Sequence, residues 1–445
     1  MKRKITISIL LIGMFVLLTS AIAFANENDT FSLSTEQATV ISGDTVVVTL
    51  SNTANSAGVE GVLKYDSDAF TYKGVTFLGV AAEKNTDYGS VKNYASGQVR
   101  FSIVSDVAQG MTGDWAKFTF EVKDGFRGST KMSLSNLKVA DLSAKLHEIE
   151  NGTPLDIEVR GTGIDEASVS LGESITVNYY VTLLESNKDA TMTFTMNEKS
   201  ISVEGNLVSG DEYKFAFEGV SPQCMTDTIE AQLMDGTEVI DTYDAFTVRS
   251  YCDKLLASNA DTLGISNEKF VAMKALIADM LEYGAMSQDY RNYKTDTLAN
   301  QNIVGQSEFV ALSEAWKVAP ANTGDNVKIV AGGVWFANVN KLYLKFTTAD
   351  VSNTTLVYNG QTYTSEDFEL VEGNTYIFYT DAIAPAEFEV AKTAEFKYGG
   401  STEATISYCV YNYIFAKQGL DTKMGKLARA LYNYGESAVT YTELQ

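Results

Sequence analysis

Gly43-Asp44-Thr45-Val46-Val47-Val48-Thr49-Leu50 decides the reading of the first third of this chain. A Gly-Asp turn pair opens a β-branched run, the residue type that suits a pleated, half-buried strand. Working outward, Gly61-Val62-Leu63-Lys64-Tyr65-Asp66, Val99-Arg100-Phe101-Ser102-Ile103-Val104 and Ala116-Lys117-Phe118-Thr119-Phe120-Glu121-Val122-Lys123 repeat the pattern. Further strands are expected at 31–33, 72–78, 130–137 and 155–159. Turns are expected at Gly110 to Asp114, Asp124-Gly125 and Asn151-Gly152. About nine short alternating strands with turn residues between them read as a two-sheet β-sandwich over residues 26–160.

The N-terminus reads as a signal peptide, residues 1–25. Lys2-Arg3-Lys4 precedes an apolar run from Ile5 to Leu18, and Ala23-Phe24-Ala25 is a small-x-small cleavage site. The expectation is a secreted, extracellular protein with no membrane span after cleavage, because the apolar run falls short of the ~20 residues a span needs.

The chain has 445 residues, 34 basic and 57 acidic, for a net charge of −23. Loss of Lys2, Arg3 and Lys4 would leave it more acidic still. Such a surface repels nucleic acid and anionic membranes. Three cysteines, Cys224, Cys252 and Cys409, are too few for a disulfide framework. Cys252 and Cys409 both end a Ser-Tyr-Cys triplet, which suggests equivalent, buried positions of a repeat.

Beyond Gly161-Thr162-Gly163 the texture changes from strands alone to strands followed by helices. One such module is expected over 161–294, a second over 327–445, with a polar linker and one short helix over 295–326. Each module reads as a small β-sandwich with C-terminal helices. The closing helices match, at Leu281-Glu282-Tyr283-Gly284 and Tyr432-Asn433-Tyr434-Gly435, which argues for duplication. An apolar stripe runs along each: Phe270, Met273, Ile277, Met280 and Leu281, then Met424, Leu427, Ala428, Leu431 and Tyr434. The stripes are read as packing on each helix's own sandwich, and the Tyr-Gly pairs as C-terminal stops.

The only histidine, His147, leaves no Ser-His-Asp or Cys-His site and no multi-histidine metal site. It reads as an ordinary loop residue. Paired carboxylates need no histidine, but among 57 acidic residues no pair is specific. No catalytic residue, metal site or cofactor is assigned, and the chain is read as a non-catalytic binding protein; the alternatives are a direct carbohydrate-binding or adhesion protein and, second, a glycan-active enzyme with an unrecognised carboxylate pair. Trp115, Trp316 and Trp335 are candidates for stacking on sugars, Trp115 first because it follows the Gly113-Asp114 turn.

Residues 30–160 resemble the cohesin family, receptor modules that hold dockerin-bearing enzymes on a scaffold. The resemblance rests on Gly43-Asp44-Thr45-Val46, Leu63-Lys64-Tyr65-Asp66, Thr112-Gly113-Asp114 leading into Phe118-Thr119-Phe120-Glu121-Val122-Lys123, and Asn151-Gly152 before the last strand. It implies a nine-stranded jelly-roll sandwich, a fold shared with some carbohydrate-binding modules. It also implies a role in extracellular polysaccharide breakdown and a dockerin-like or polysaccharide partner. The resemblance places the partner face on the sheet containing the Tyr65-Asp66 strand. Strand alternation then turns Glu60, Val62, Lys64, Arg100, Ser102 and Val104 outward. The chain shows no duplicated calcium loop of its own, so the resemblance puts it on the receptor side. The two C-terminal modules resemble modules of secreted proteins from gut and rumen Firmicutes.

Overall fold

The computed structural model describes residues 7–9, 31–85 and 90–444. Of the expected signal peptide only Ile7–Ile9 (β1) is described, as a strand antiparallel to Gly163–Leu171; its cleavage site lies outside the described residues. The chain divides into two units, described separately.

The first unit is a two-sheet sandwich. One sheet has the order β2 (Phe31–Thr35), β4 (Thr45–Ser56), β9 (Met111–Val122), β6 (Phe70–Phe77). The other runs β3 (Thr39–Ile41), β12 (Leu155–Arg160), β10 (Gly128–Ala140), β5 (Gly58–Lys64), β8 (Gln98–Val104), β7 (Ser90–Ala95), with β11 (Leu146–Glu148) beside β10. From β2 to β7 and from β8 to β10 successive strands alternate between the two sheets, as in a jelly roll, while β7–β8 and β10–β12 stay within one sheet. Eight strands correspond to the stretches expected from sequence; β7, and β3 and β11 at three residues each, are additions. A short helix, α1 (Gly79–Lys84), follows β6.

The opening stretch folds as its composition dictates. Gly43 takes φ +88°, open to glycine at no steric cost, and its N–H donates to the Val122 carbonyl. Along β4, Val46, Val48 and Leu50 point inward and are fully buried. They meet Phe101, Phe118, Phe120 and Trp115 in one core. His147 lies on β11, not in a loop, at 2.8 Å from Asp141. The hydrogen bond from His147, with the Lys145 and Ser143 N–H groups, holds the Asp141 carboxyl below its ordinary range.

The second unit contains the remaining strands. Residues 163–246 form two sheets: β13 (Gly163–Leu171), β14 (Ile175–Thr182), β18 (Glu212–Val220), β17 (Asn206–Ser209); and β16 (Lys199–Glu204), β15 (Thr191–Met196), β19 (Ile229–Asp235), β20 (Glu238–Phe246). Helices α2 (Val248–Ala257), α3 (Ala260–Leu263) and α4 (Asn267–Arg291) follow. Residues 321–408 again form two sheets: β22 (Val327–Phe336), β23 (Asn340–Thr348), β27 (Thr375–Ala382), β26 (Glu369–Glu372); and β25 (Gln361–Tyr363), β24 (Thr354–Tyr358), β28 (Lys392–Tyr398), β29 (Ser401–Tyr408), with β21 (Ala321–Asn322) at the edge of β29. Helices α5 (Val410–Lys417) and α6 (Lys423–Glu443) close the chain.

Three expectations about these modules change. The helix stripes do not simply cover their own sandwiches: α4 and α6 pack on each other, with Tyr283 and Tyr434 stacked at 5.8 Å. The Tyr-Gly pairs are not stops, since α4 continues to Arg291 and α6 to Glu443. The glycines serve close approach instead. A Cβ on Gly284 would lie 2.7 Å from Met225 Sδ and 3.1 Å from the Pro222 carbonyl; on Gly435 it would lie 2.9 Å from Phe388 Cδ2 and 3.4 Å from the Pro385 carbonyl. Cys252 and Cys409 are not equivalent either: Cys252 sits within α2, while Cys409 is the N-cap of α5. All three cysteines are buried and free. Burial pushes the Cys224 and Cys252 thiols up to about 12, so they behave as small apolar side chains.

Residues 295–326 contain one short 3-10 turn, Glu314–Trp316, and are pinned rather than loose. Ser307 donates its N–H and Oγ–H to Asp279, fully buried on α4, at 2.7 and 2.6 Å, and Ser437 on α6 donates to the same carboxylate. Farther along, Leu312 exchanges two backbone hydrogen bonds with the Gln418 amide, and Trp316 packs edge-on against Tyr411 at 5.1 Å.

Candidate partner-binding face

The candidate face is the outward side of β10, β5 and β8. On β5, Val59, Gly61 and Leu63 are buried and Glu60, Val62 and Lys64 point out. On β8, Val99, Phe101 and Ile103 are buried and Arg100, Ser102 and Val104 point out. Antiparallel register sets Glu60 opposite Ser102, Val62 opposite Arg100 and Lys64 opposite Gln98. Five of the six residues anticipated from sequence therefore form one continuous patch. Val104 does not belong to its centre. It lies opposite Gly58, and its backbone N–H and C=O are both held by the Asn85 amide, at 2.9 and 2.6 Å.

The face is not flat. Between Ser135 and Lys138 the register of β10 shifts against β5, and Asn136 adopts φ +54°, a left-handed conformation Asn tolerates better than most residues. The bulge bends the strand and opens a groove of about 590 Å³. Glu60, Val62 and Arg100 line it on one side; Asn136, Lys138 and Glu148 line it on the other. Its floor depends on Gly61, because a Cβ there would meet Leu137 Cδ2 at 2.6 Å and Phe101 Cζ at 3.0 Å. Lys138 and Glu60 approach to 3.6 Å across the groove, both well exposed, a pairing worth little to stability but able to orient a charged ligand. Asn136, Lys138 and Glu148 were missed in the sequence reading, which ran the strand straight through Leu137. The one available signal was an asparagine inside an otherwise apolar-alternating strand.

Trp115 is not a stacking residue. It is wholly buried between the sheets, edge-on to Phe31 at 5.4 Å, and its indole N–H donates to Asn52 Oδ1 at 2.7 Å. A ring with both faces covered offers nothing to a sugar. The turn expected over Gly110 to Asp114 is not there beyond Gly110: Gly113 and Asp114 lie within β9, where its register shifts against β4, and buried Asn52, opposite Gly113, supplies the acceptor the indole needs. The tryptophans differ sharply: Trp316 is half-buried against Tyr411, and Trp335 is 50% exposed.

No family model matches the chain, and no curated protein does. Among solved structures the chain is similar to a cohesin module from a family 33 glycoside hydrolase of Clostridium perfringens, at 15% identity, covering 30% of this chain and 98% of that one, TM-score 0.25. It is also similar to a type I cohesin–dockerin complex of Clostridium thermocellum, at 14% identity, 30% and 100% coverage, TM-score 0.26. A third is a non-cellulosomal cohesin of the archaeon Archaeoglobus fulgidus, at 14% identity, 30% and 92% coverage, TM-score 0.23.

Proposed function

We propose that the protein is a secreted, non-catalytic binding protein whose first domain receives a dockerin-type protein module during extracellular polysaccharide breakdown. The observation that carries this reading is the patch of Glu60, Val62, Lys64, Arg100 and Ser102 on adjacent strands, mixing an apolar centre with charged neighbours. That mixture suits a protein interface, where a few central groups dominate affinity and the rim excludes water. The sequence motifs of residues 30–160 support the same partner class. Direct sugar binding by this domain loses its leading residue with Trp115 sealed in the core. The C-terminal modules, alike in strand order, are read as two copies of one repeat that act as spacers or further adhesion modules.

Binding of the mature chain to calcium-loaded dockerins, followed by calorimetry, tests the reading. Val62→Asp should cost at least about 2 kcal/mol of binding energy and Glu60→Ala about 1 kcal/mol, with circular dichroism unchanged. Capture that persists at full affinity in Val62→Asp would remove this face from the interface. Release of reducing sugar by the purified chain, abolished by one Asp or Glu substitution, would replace the receptor reading with an enzyme.

A further inference from the structure

The outward face of the β22–β23–β27 sheet carries three aromatic rings that the fold does not use for its core. β23 alternates buried and part-exposed residues from end to end, so Leu342, Leu344 and Phe346 face the sandwich interior while Lys341, Tyr343 and Lys345 face out. Register places Tyr343 opposite Gly333 on one side and opposite Tyr379 on the other, and Trp335 opposite Lys341. Gly333 permits this arrangement, since any Cβ there would overlap the Tyr343 ring, which lies across the glycine. Trp335 and Tyr379 meet edge to face with centroids 5.7 Å apart, and Tyr343 and Tyr379 are tilted at 6.4 Å. Trp335, at 50% exposure, is among the most exposed large apolar side chains of this module.

We propose that Trp335, Tyr343 and Tyr379 form a glycan-binding platform that takes the pyranose rings of a polysaccharide. The chemistry selects this occupant. An aromatic face is electron-rich and attracts the weakly positive C–H groups of a sugar ring. Lys341 and Lys345, outward on the same strand as Tyr343, supply hydrogen-bond donors for the hydroxyl or carboxylate oxygens at the edge of a sugar ring. A ligand that presents C–H faces and hydroxyl or carboxylate oxygens within one ring width satisfies both. Sites of this kind combine apolar surface with a few polar groups that fix orientation.

Affinity electrophoresis of the full mature chain through gels containing xylan or polygalacturonate, with a pull-down on insoluble cellulose, tests the proposal and separates neutral from acidic glycans. The expected result is retention by at least one of these three, weakened tenfold or more in Trp335→Ala and in Tyr343→Ala, and largely kept in Trp335→Phe. Tyr180→Ala, on the corresponding sheet of the preceding module, should leave retention unchanged. Absence of retention by all three overturns the proposal, as does retention that survives both alanine variants with native circular dichroism. Concentration-dependent self-association that Trp335→Ala abolishes, without glycan retention, would make the face a contact between copies instead.

Discussion

The two C-terminal sandwiches share one plan and differ where packing leaves residues free. Their sheets have the same strand order, β13-β14-β18-β17 against β22-β23-β27-β26 and β16-β15-β19-β20 against β25-β24-β28-β29. In each, a 3-10 turn beginning with proline, Pro222–Cys224 or Pro385–Glu387, seats the glycine of the long helix. The differences are specific. Four residues before the stacked tyrosines, α4 buries Asp279 where α6 buries Ala430. Three residues past the 3-10 turns, the first module has Asp227, almost wholly buried, and the second has half-exposed Val390. On the outward sheet face the first shows Tyr180, hydrogen-bonded to Ser168, and the second shows the three-ring platform. Inward positions preserve the plan because volume and apolarity constrain them. Polar and aromatic specialisation collects at helix contacts, turns and outward faces.

The sharpest way to break the comparison is at the point where the modules meet. Tyr283 is fully buried, stacks on Tyr434 and donates its hydroxyl to Asn340 Oδ1 at 2.8 Å. Tyr283→Ala should destabilise the protein by about 3–5 kcal/mol, through a large cavity and an acceptor left without its donor. Tyr434→Ala should cost somewhat less, and the double variant should fall short of additivity by about 1 kcal/mol, the coupling of the stacked pair. Urea unfolding measures all three. Strict additivity would mean that the two helices are neighbours without energetic coupling.

Asp227 sharpens the comparison because it is a buried carboxylate tie, whereas the lowered carboxyls of the second module, Asp350, Glu395 and Glu403, do not count among its buried residues. Burial alone would raise its carboxyl, but Lys294 at 2.7 Å, Tyr293 at 2.6 Å and Asn197 at 2.6 Å donate to it and leave it lowered. A lowered folded-state value means the contribution is complete above the ordinary aspartate range, near pH 4, and is lost as pH falls through the lower folded value. Asp227 ties the β15–β16 hairpin turn, through Asn197, to the residues just after α4. Asp227→Ala should therefore cost about 3 kcal/mol at neutral pH. Hydrogen exchange in Thr191–Glu204 should rise with acidification in the native protein and already be raised, and flat with pH, in the variant. A rise with acidification that persists undiminished in Asp227→Ala would show that Asp227 is not the source.

How much of this was legible depends on which force sets each feature. The sandwich was readable because Val46, Val48, Leu50, Phe118 and Phe120 obey a period of two, and burial follows that period directly. The outward orientation of Glu60, Val62 and Arg100 followed from the same rule. The groove was not readable, because it comes from one extra residue near Asn136 that shifts β10 against its neighbour, and a shift of register leaves almost no trace in composition. The α4–α6 contact was hidden for another reason. A stripe such as Met273, Ile277, Met280 states that something covers it, not what. Trp115 shows the same limit: the Gly-Asp pair before it was visible and read as a turn, but it is part of β9, and the acceptor that draws the indole inward, Asn52, lies 63 positions away.

The smallest expected effect concerns the two outward faces. Trp335→Ala removes a half-exposed ring that contacts Tyr379 but fills no cavity, so its cost to stability should stay within about 1 kcal/mol, the scale of one aromatic pair at a surface. Trp115→Ala in the first domain should cost about 3–5 kcal/mol by contrast, because that ring is sealed in the core and its loss also orphans Asn52. Thermal melts of both variants make the distinction. If Trp335→Ala lowered stability as much as Trp115→Ala, the three rings would be part of the module's packing and the second face would differ from the first for structural reasons alone. A small loss leaves the exposed indole without a structural purpose, which is the condition under which its role in binding becomes the economical account of why it is there.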